Sequence, residues 1–145
     1  MNMPQDARRR LEDVLDLEIE AARQLAATLA AEQAALAGQS PQAVEQKAAE
    51  KLQLLDTIEK LDVERRELCP APNGPGLAAT VAERWRALME LVAGCRTANE
   101  VNGRIIHVRQ HQVRQLIDIV RGGPAITYSS QGKTLAKALR ALARA

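Results

Sequence analysis

The chain has almost no aromatic side chains. Among its 145 residues phenylalanine is absent, and tryptophan and tyrosine occur once each, as Trp85 and Tyr128. Large aromatic side chains dominate the cores of many sheet sandwiches and thick globular domains, so their scarcity argues against both classes. It also removes the rings on which single-strand nucleic-acid binders stack bases. The abundant alanine and leucine favour helices, so the composition predicts an all-α protein with a thin core.

Cysteine is also scarce, with only Cys69 and Cys95, and their positions match neither a Cys-x-x-Cys motif nor a metal-ligand spacing. The sequence has no apolar run of membrane-spanning length. The opening MNMPQDARRR carries charges without the apolar run of a signal peptide. We therefore expect a cytoplasmic protein with reduced thiols and no stable membrane anchor.

The formal net charge is only +2, but the two halves differ in sign. Residues 1–68 hold nine basic and fourteen acidic side chains, and residues 69–145 hold eleven basic and four acidic ones. Antiparallel helices would place the two halves side by side and neutralise them. A basic half can also contact nucleic acid or an acidic protein. We favour neutralisation because no nucleic-acid-binding motif accompanies the charge.

Apolar residues recur every three or four positions over forty residues, which predicts one long helix with a stripe that faces a partner. This seam comprises Val81, Trp85, Leu88, Val92, Cys95, Asn99, Asn102, Ile106, Arg109, Val113, Leu116 and Val120. A buried asparagine at a seam position fixes the register of a helix pair, and a glycine inside a helix allows close packing or a bend. We therefore assign a structural role to Asn99, Asn102 and Gly103.

The same spacing defines two earlier helices, which are separated by helix-breaking residues. The first seam reads Leu11, Leu15, Glu18, Ala22, Leu25, Leu29, Glu32 and Leu36. The second places Val44, Ala48, Leu55 and Ile58 on one line. Gly38, Ser40-Pro41 and the proline-rich residues 69–76 interrupt the pattern, so we expect helices at about 6–37, 41–68 and 77–121. The short first connection predicts an antiparallel hairpin, and the fold class is an antiparallel bundle of three long helices with coiled-coil-like packing.

The helix lengths differ enough to predict an unpaired end. At 1.5 Å per residue the third helix spans about 65 Å, against about 50 Å and about 40 Å for the first two. It must therefore overhang the hairpin, bend or find a partner. An uncovered apolar stripe usually binds something, either a second copy or another protein.

The residues after the predicted bundle (1–121) form a distinct C-terminal segment, 122–145. We expect it to be mobile, with an amphipathic helix at about 133–144. The apolar face of that helix is Leu135, Ala138, Leu139 and Leu142, surrounded by Lys133, Lys137, Arg140 and Arg144. A helix of this length is marginal alone, so it should fold only against the bundle, a partner or, weakly, a lipid surface.

No pattern in the sequence supports catalysis. His107 and His111 have helical spacing, but no third ligand accompanies them, so we predict no metal and no cofactor. No phosphate-binding loop, nucleophile motif or paired-carboxylate pattern is present, so we expect no enzyme. Glu18 and Glu32 on the first seam could instead form ion pairs with Arg109 on the third.

The chain resembles the FlgN family of flagellar export chaperones over about residues 8–132. The resemblance starts with the Leu/Glu-rich first helix and ends with a tyrosine and a glycine beyond the long helix. Its positions are Lys51 to Leu55 (KLQLL), Ile58, Leu61, Arg65, Cys95, Asn99, Asn102-Gly103, Leu116, Tyr128 and Gly132.

The resemblance implies a cytoplasmic chaperone that binds terminal helices of hook–filament junction proteins and delivers them to the flagellar type III export gate. It implies client binding by the C-terminal residues Leu135, Ala138, Leu139 and Leu142. It also implies an export-gate contact at Tyr128, although Ser129 follows where a glycine is common in the family.

Three alternatives stay open at this stage. A homo-oligomeric helical scaffold or adaptor, in the simplest case a homodimer, would use the same seams. A nucleic-acid-binding helical protein would use Arg104, Arg109, Arg114 and Arg121, which do not share one clean face. A chaperone of another secretion system would show the same helix pattern. The pattern does not identify the preferred junction protein or the stoichiometry.

Overall fold

Three helices make up almost all of the computed structural model, which describes residues 3–122. They are α1 (Gln5–Ala37), α2 (Pro41–Leu68) and α3 (Ala79–Val120), and no strand occurs in this range. The prediction of an all-helical fold with three long helices is confirmed for these residues. The predicted C-terminal helix at 133–144 lies outside them.

The reversal between α1 and α2 is built from residues suited to each of its positions. Gly38 follows the last turn of α1, and Gln39 adopts a positive φ of 56°, which turns the chain. The Ser40 hydroxyl accepts a hydrogen bond from the Ala43 amide at 3.4 Å, and Pro41 occupies the first helical position. This N-cap starts α2 directly after the turn.

Helix α1 is the centre of the fold, with α2 packed on one side and α3 on the other. The Cα atoms of α2 and α3 do not approach within 8 Å of each other in the described range. Arg10 pairs with Glu64 and Glu32 with Lys51, so residue numbers along α2 fall as those along α1 rise. In the contacts between α1 and α3, the residue numbers of both helices increase together, from Glu12–Thr80 to Leu29–Asn102.

The core follows the seam of α1. All eight residues of that predicted seam are buried, including both glutamates. Leu11, Leu15 and Ile19 pack with Val81 and Leu88 near one end of the helices. Smaller clusters continue along the axis, one around Leu25, Leu29 and Cys95 and one around Leu36, Val44 and Ile106. One narrow row of apolar side chains therefore runs through the fold.

Helix α2 departs from its predicted inward face. Its buried residues are Val44, Ala48, Lys51 and Arg65, whereas Leu55 is 42% exposed. The expectation that Leu55 lies on the buried line is therefore wrong. The buried cations meet carboxylates on α1, and an unpaired buried carboxylate would be far more costly than an exposed leucine.

Helix α3 extends beyond the end of the α1–α2 hairpin. Arg109 donates a hydrogen bond to the carbonyl oxygen of Leu36, in the last turn of α1. The residues from 111 to Val120 therefore continue past the last turn of α1, over a length of about 15 Å. The predicted mismatch in helix length thus takes the form of an overhang.

Candidate functional surface

Two polar clusters, each joining all three helices, fix the register of the fold. In the first, the Glu32 layer, the Lys51 ammonium donates to both Glu32 oxygens at 3.1 and 3.2 Å and to the Asn99 side-chain oxygen at 3.1 Å. The Asn102 amide nitrogen donates to Glu32 and to the Leu29 carbonyl, both at 2.9 Å. The three ammonium protons of Lys51 thus have three acceptors, so the buried charge is matched.

The second cluster, the Glu18 layer, is less well satisfied. The Nε atom of Arg65 lies 3.6 Å from Oε1 of Glu18. Both atoms are buried, and neither makes a hydrogen bond. Arg65 also stacks over the Trp85 ring at 4.7 Å from its centroid and pairs with Asp62. Burial raises the pKa of Glu18 to about 7, against the opposing effect of the Arg65 charge.

The residues predicted to have a structural role do not all behave alike. Asn99 and Asn102 both belong to the Glu32 layer. A Cβ atom added at Gly103 would meet no atom within 4 Å, so the expected close helix approach does not occur there. The expected pairing of Arg109 with a glutamate is also wrong, because Glu18 and Glu32 take their cations from α2.

The main uncovered apolar surface is the end of α3. We call it the α3 overhang and define it as Val113, Leu116, Ile117 and Val120. Leu116 is 61% and Val120 84% exposed, whereas Val113 and Ile117 are half-buried. The spacing i, i+3, i+4, i+7 places the four side chains on one face, in line with Ile106, which packs against Leu36 of α1. The overhang therefore has the residue spacing of a helix-packing face.

Among residues 3–122 no metal-binding cluster accompanies the overhang. His107 and His111 are exposed, and residues 3–122 hold no group of three metal-ligating side chains. A cavity of about 710 Å³ lies at the opposite end of the fold, between the start of α1 and the start of α3. Its lining is Met3, Pro4, Gln5, Arg8, Gly76, Leu77, Ala78 and Val81, and none of these is a nucleophile or a general base at neutral pH.

No helix of the described residues combines the length and apolar character needed to cross a membrane.

The residues predicted for client binding and gate contact lie outside the described range. They are Leu135, Ala138, Leu139 and Leu142 for the client and Tyr128 for the gate. Their assignments stay predictions. The overhang ends at Val120, eight residues before Tyr128 and fifteen before Leu135.

Comparison of the sequence with models of protein families identifies the family of the chain. The family model described as FlgN protein matches residues 1–136. The chain belongs to the FlgN family. This match covers nearly the whole chain, including all three helices and the first residues of the C-terminal segment. No curated protein and no solved structure matches the chain.

Lys51 and Arg65 were named only as positions of the family resemblance, and sequence reasoning missed their buried pairing with the glutamates of α1. They occupy seam positions of α2, but as charged side chains they would ordinarily face water. A usable signal was present: Lys51 and Arg65 are fourteen residues apart, as are Glu18 and Glu32. In an antiparallel hairpin equal spacings of opposite charge fall opposite each other, as they do here.

Proposed function

We propose that this FlgN-family protein is a cytoplasmic export chaperone that binds hook–filament junction proteins and delivers them to the flagellar type III export apparatus. It acts by binding rather than by catalysis. The observation that carries the proposal is the match of the FlgN family model to residues 1–136, which include all three helices.

In the proposed mechanism, the C-terminal segment captures the client. Leu135, Leu139 and Leu142 bury against an amphipathic terminal helix of the junction protein, and Tyr128 contacts the export gate. Ordering a segment on binding costs conformational entropy, which lowers the affinity and favours release. Easy release suits a carrier that must hand its client over.

A self-associating scaffold is the second candidate, because the overhang could equally meet a second copy of the chain. It predicts a stable dimer whose mass does not change when client is added. A chaperone of another secretion system would instead keep client binding and change only the identity of the client.

Co-purification with hook–filament junction proteins tests the proposal. The full chain is compared with a chain that ends at Gly132 and with the variant Leu135→Ser, Leu139→Ser, Leu142→Ser. A matched control replaces three cations of the same segment, Lys133→Ser, Lys137→Ser and Arg140→Ser. We expect the truncated chain and the leucine variant to lose the client and the cation variant to retain it.

Each other outcome has a defined meaning. Client binding that survives truncation keeps the chaperone function and moves the binding site into residues 1–132. Equal loss in the leucine and cation variants would show that the cations of the segment contribute as much to client binding as its apolar face. No binding by any form, with normal helical content, would overturn the proposed function.

A further inference from the structure

The α3 overhang and the C-terminal segment carry the same apolar pattern. The overhang has its apolar residues at 113, 116, 117 and 120, and the segment has them at 135, 138, 139 and 142. Both follow i, i+3, i+4, i+7, and both patterns extend over about 10 Å of helix. Two faces of equal length and matching period can pack against each other as a helix pair.

We propose that residues 133–144 dock on the α3 overhang of their own chain when no client is bound. In this arrangement the segment runs antiparallel to α3 and takes the place that α1 occupies along the rest of the helix. Leu139 then lies against Leu116, and Leu142 against Val113. The overhang is thus a docking surface whose occupant is supplied by the chain itself.

The connection is long enough for this pairing. Fourteen residues, from 121 to 134, separate Val120 from Leu135. They can span up to about 46 Å, whereas adjacent helices need a separation of only about 10 Å. The Gly122-Gly123-Pro124 sequence at the end of α3 allows the chain to reverse, and Gly122 already adopts a positive φ of 98°.

The charges of the segment lie away from its apolar face, whereas the end of α3 carries Arg114 and Arg121 against Asp118. The four cations of the segment, Lys133, Lys137, Arg140 and Arg144, repeat at 4, 3 and 4 residues on the side opposite the leucines. They would therefore stay in water. The positions beside its apolar face are the uncharged Thr134, Ala136, Ala141 and Ala145.

Tethering favours this occupant over a second copy. A segment joined to the overhang by a short linker has an effective concentration in the millimolar range, well above that of a second copy at micromolar protein. The overhang could pair with another overhang, but only after the local segment had been displaced. The same chain should therefore occupy its own surface first.

The docking has a consequence that rests on the proposed function. The residues that bury against the overhang are the leucines assigned to the client, so the segment cannot do both at once. The apparent client affinity then falls in proportion to the fraction of chains with a free segment. Docking would also keep these leucines covered between rounds of binding.

Disulfide trapping in the full-length protein tests the contact without a client. The pair Leu116→Cys with Leu139→Cys is compared with the control pair Gln115→Cys with Leu139→Cys. Gln115 is exposed and precedes Leu116, so the two introduced positions on α3 point about 100° apart. Both native cysteines are buried.

We expect the first pair to form its intramolecular disulfide at least about tenfold faster than the control, because docking brings the two Cβ atoms into bonding range. Equal rates for the two pairs would overturn the proposal, since an undocked tether samples both positions alike. Disulfides formed mainly between chains would overturn it in favour of a second copy.

A second variant separates this inference from the proposed function. Leu116→Ser with Val120→Ser disrupts the overhang, leaves the client-binding leucines intact and alters only exposed side chains. We expect it to bind junction protein severalfold more tightly. Weaker binding would make the overhang part of the client site and overturn the docking. Absence of binding in all forms would overturn the proposed function, while the disulfide rates would still report the contact.

Discussion

Replacement of Lys51 by methionine tests whether the Glu32 layer is as isolated from water as its geometry indicates. Glu32 is fully buried and Lys51 is 3% exposed, and the lysine makes all three hydrogen bonds that its ammonium group can donate. Methionine is an unbranched side chain one atom shorter than lysine and carries no charge. The Glu32 carboxylate would then retain only the Asn102 amide as a hydrogen-bond donor.

The expected loss is large. Removal of one partner from a buried ion pair typically costs about 3–5 kcal/mol, because the remaining charge is left uncompensated. A domain of this size has a total stability of about 5–15 kcal/mol. The change should therefore remove a substantial share of the free energy of unfolding.

Urea unfolding followed by circular dichroism measures the loss. Lys60→Met is the matched control on the same helix, because Lys60 forms a solvent-exposed pair with Asp56 and should change the stability little. The double variant Glu32→Gln, Lys51→Met should recover at least about 2 kcal/mol, because no buried charge is left and the amide oxygen still accepts from Asn102.

The reasoning is refuted if Lys51→Met costs less than about 1 kcal/mol with an unchanged denaturant slope. Water would then reach the layer and solvate Glu32. It is refuted equally if the double variant is no more stable than the single one, since the uncompensated carboxylate would not be the cause of the loss.

Three further predictions concern the other parts of the fold. The raised pKa of Glu18 contributes stability that is complete below its ordinary value of 4.5 and is lost as the pH rises through about 7. As the pH rises from 5 to 8, the parent should therefore lose stability relative to Glu18→Gln, by on the order of 1–2 kcal/mol after allowance for screening. Thermal melts of the parent and the variant at both pH values measure this. A stability difference between the two proteins that is the same at pH 5 and pH 8 would contradict the prediction. Gly103→Ala should raise the free energy of unfolding by about 0.5–1 kcal/mol, because the new methyl group meets no atom; a loss would point to a bend that requires glycine. Ser40→Ala should lower it by about 0.5–1 kcal/mol through loss of the N-cap bond, whereas Ser40→Asp should not.

Much of the fold could be predicted from the sequence because its signals are local. The seam of α1 identified eight buried residues, including two glutamates, since a sustained 3.5-residue period leaves little freedom in the choice of face. The breaks at Gly38, Ser40 and the proline-rich connection follow from the backbone chemistry of those residues.

The pairing of the charges could not be predicted in the same way. The partner of a buried glutamate depends on which helix lies opposite and in which register, and both are properties of the packed fold. Arg109 has the right charge and lies on the α3 seam, but its position on that helix brings it to the carbonyl of Leu36. The prediction that Leu55 is buried failed for the same reason. The cations of α2 take the inward positions because they pair with the buried carboxylates of α1.

The central position of α1 has a consequence for the order in which the chain can assemble. The α1–α2 hairpin has a short connection, so its contacts can form early in synthesis, before α3 has left the ribosome. The polar layers of this hairpin would still be incomplete, because Asn99, Asn102 and Trp85 belong to α3. The nascent hairpin would therefore carry an open apolar strip along α1, and this strip would be a natural binding site for general chaperones until the third helix covers it.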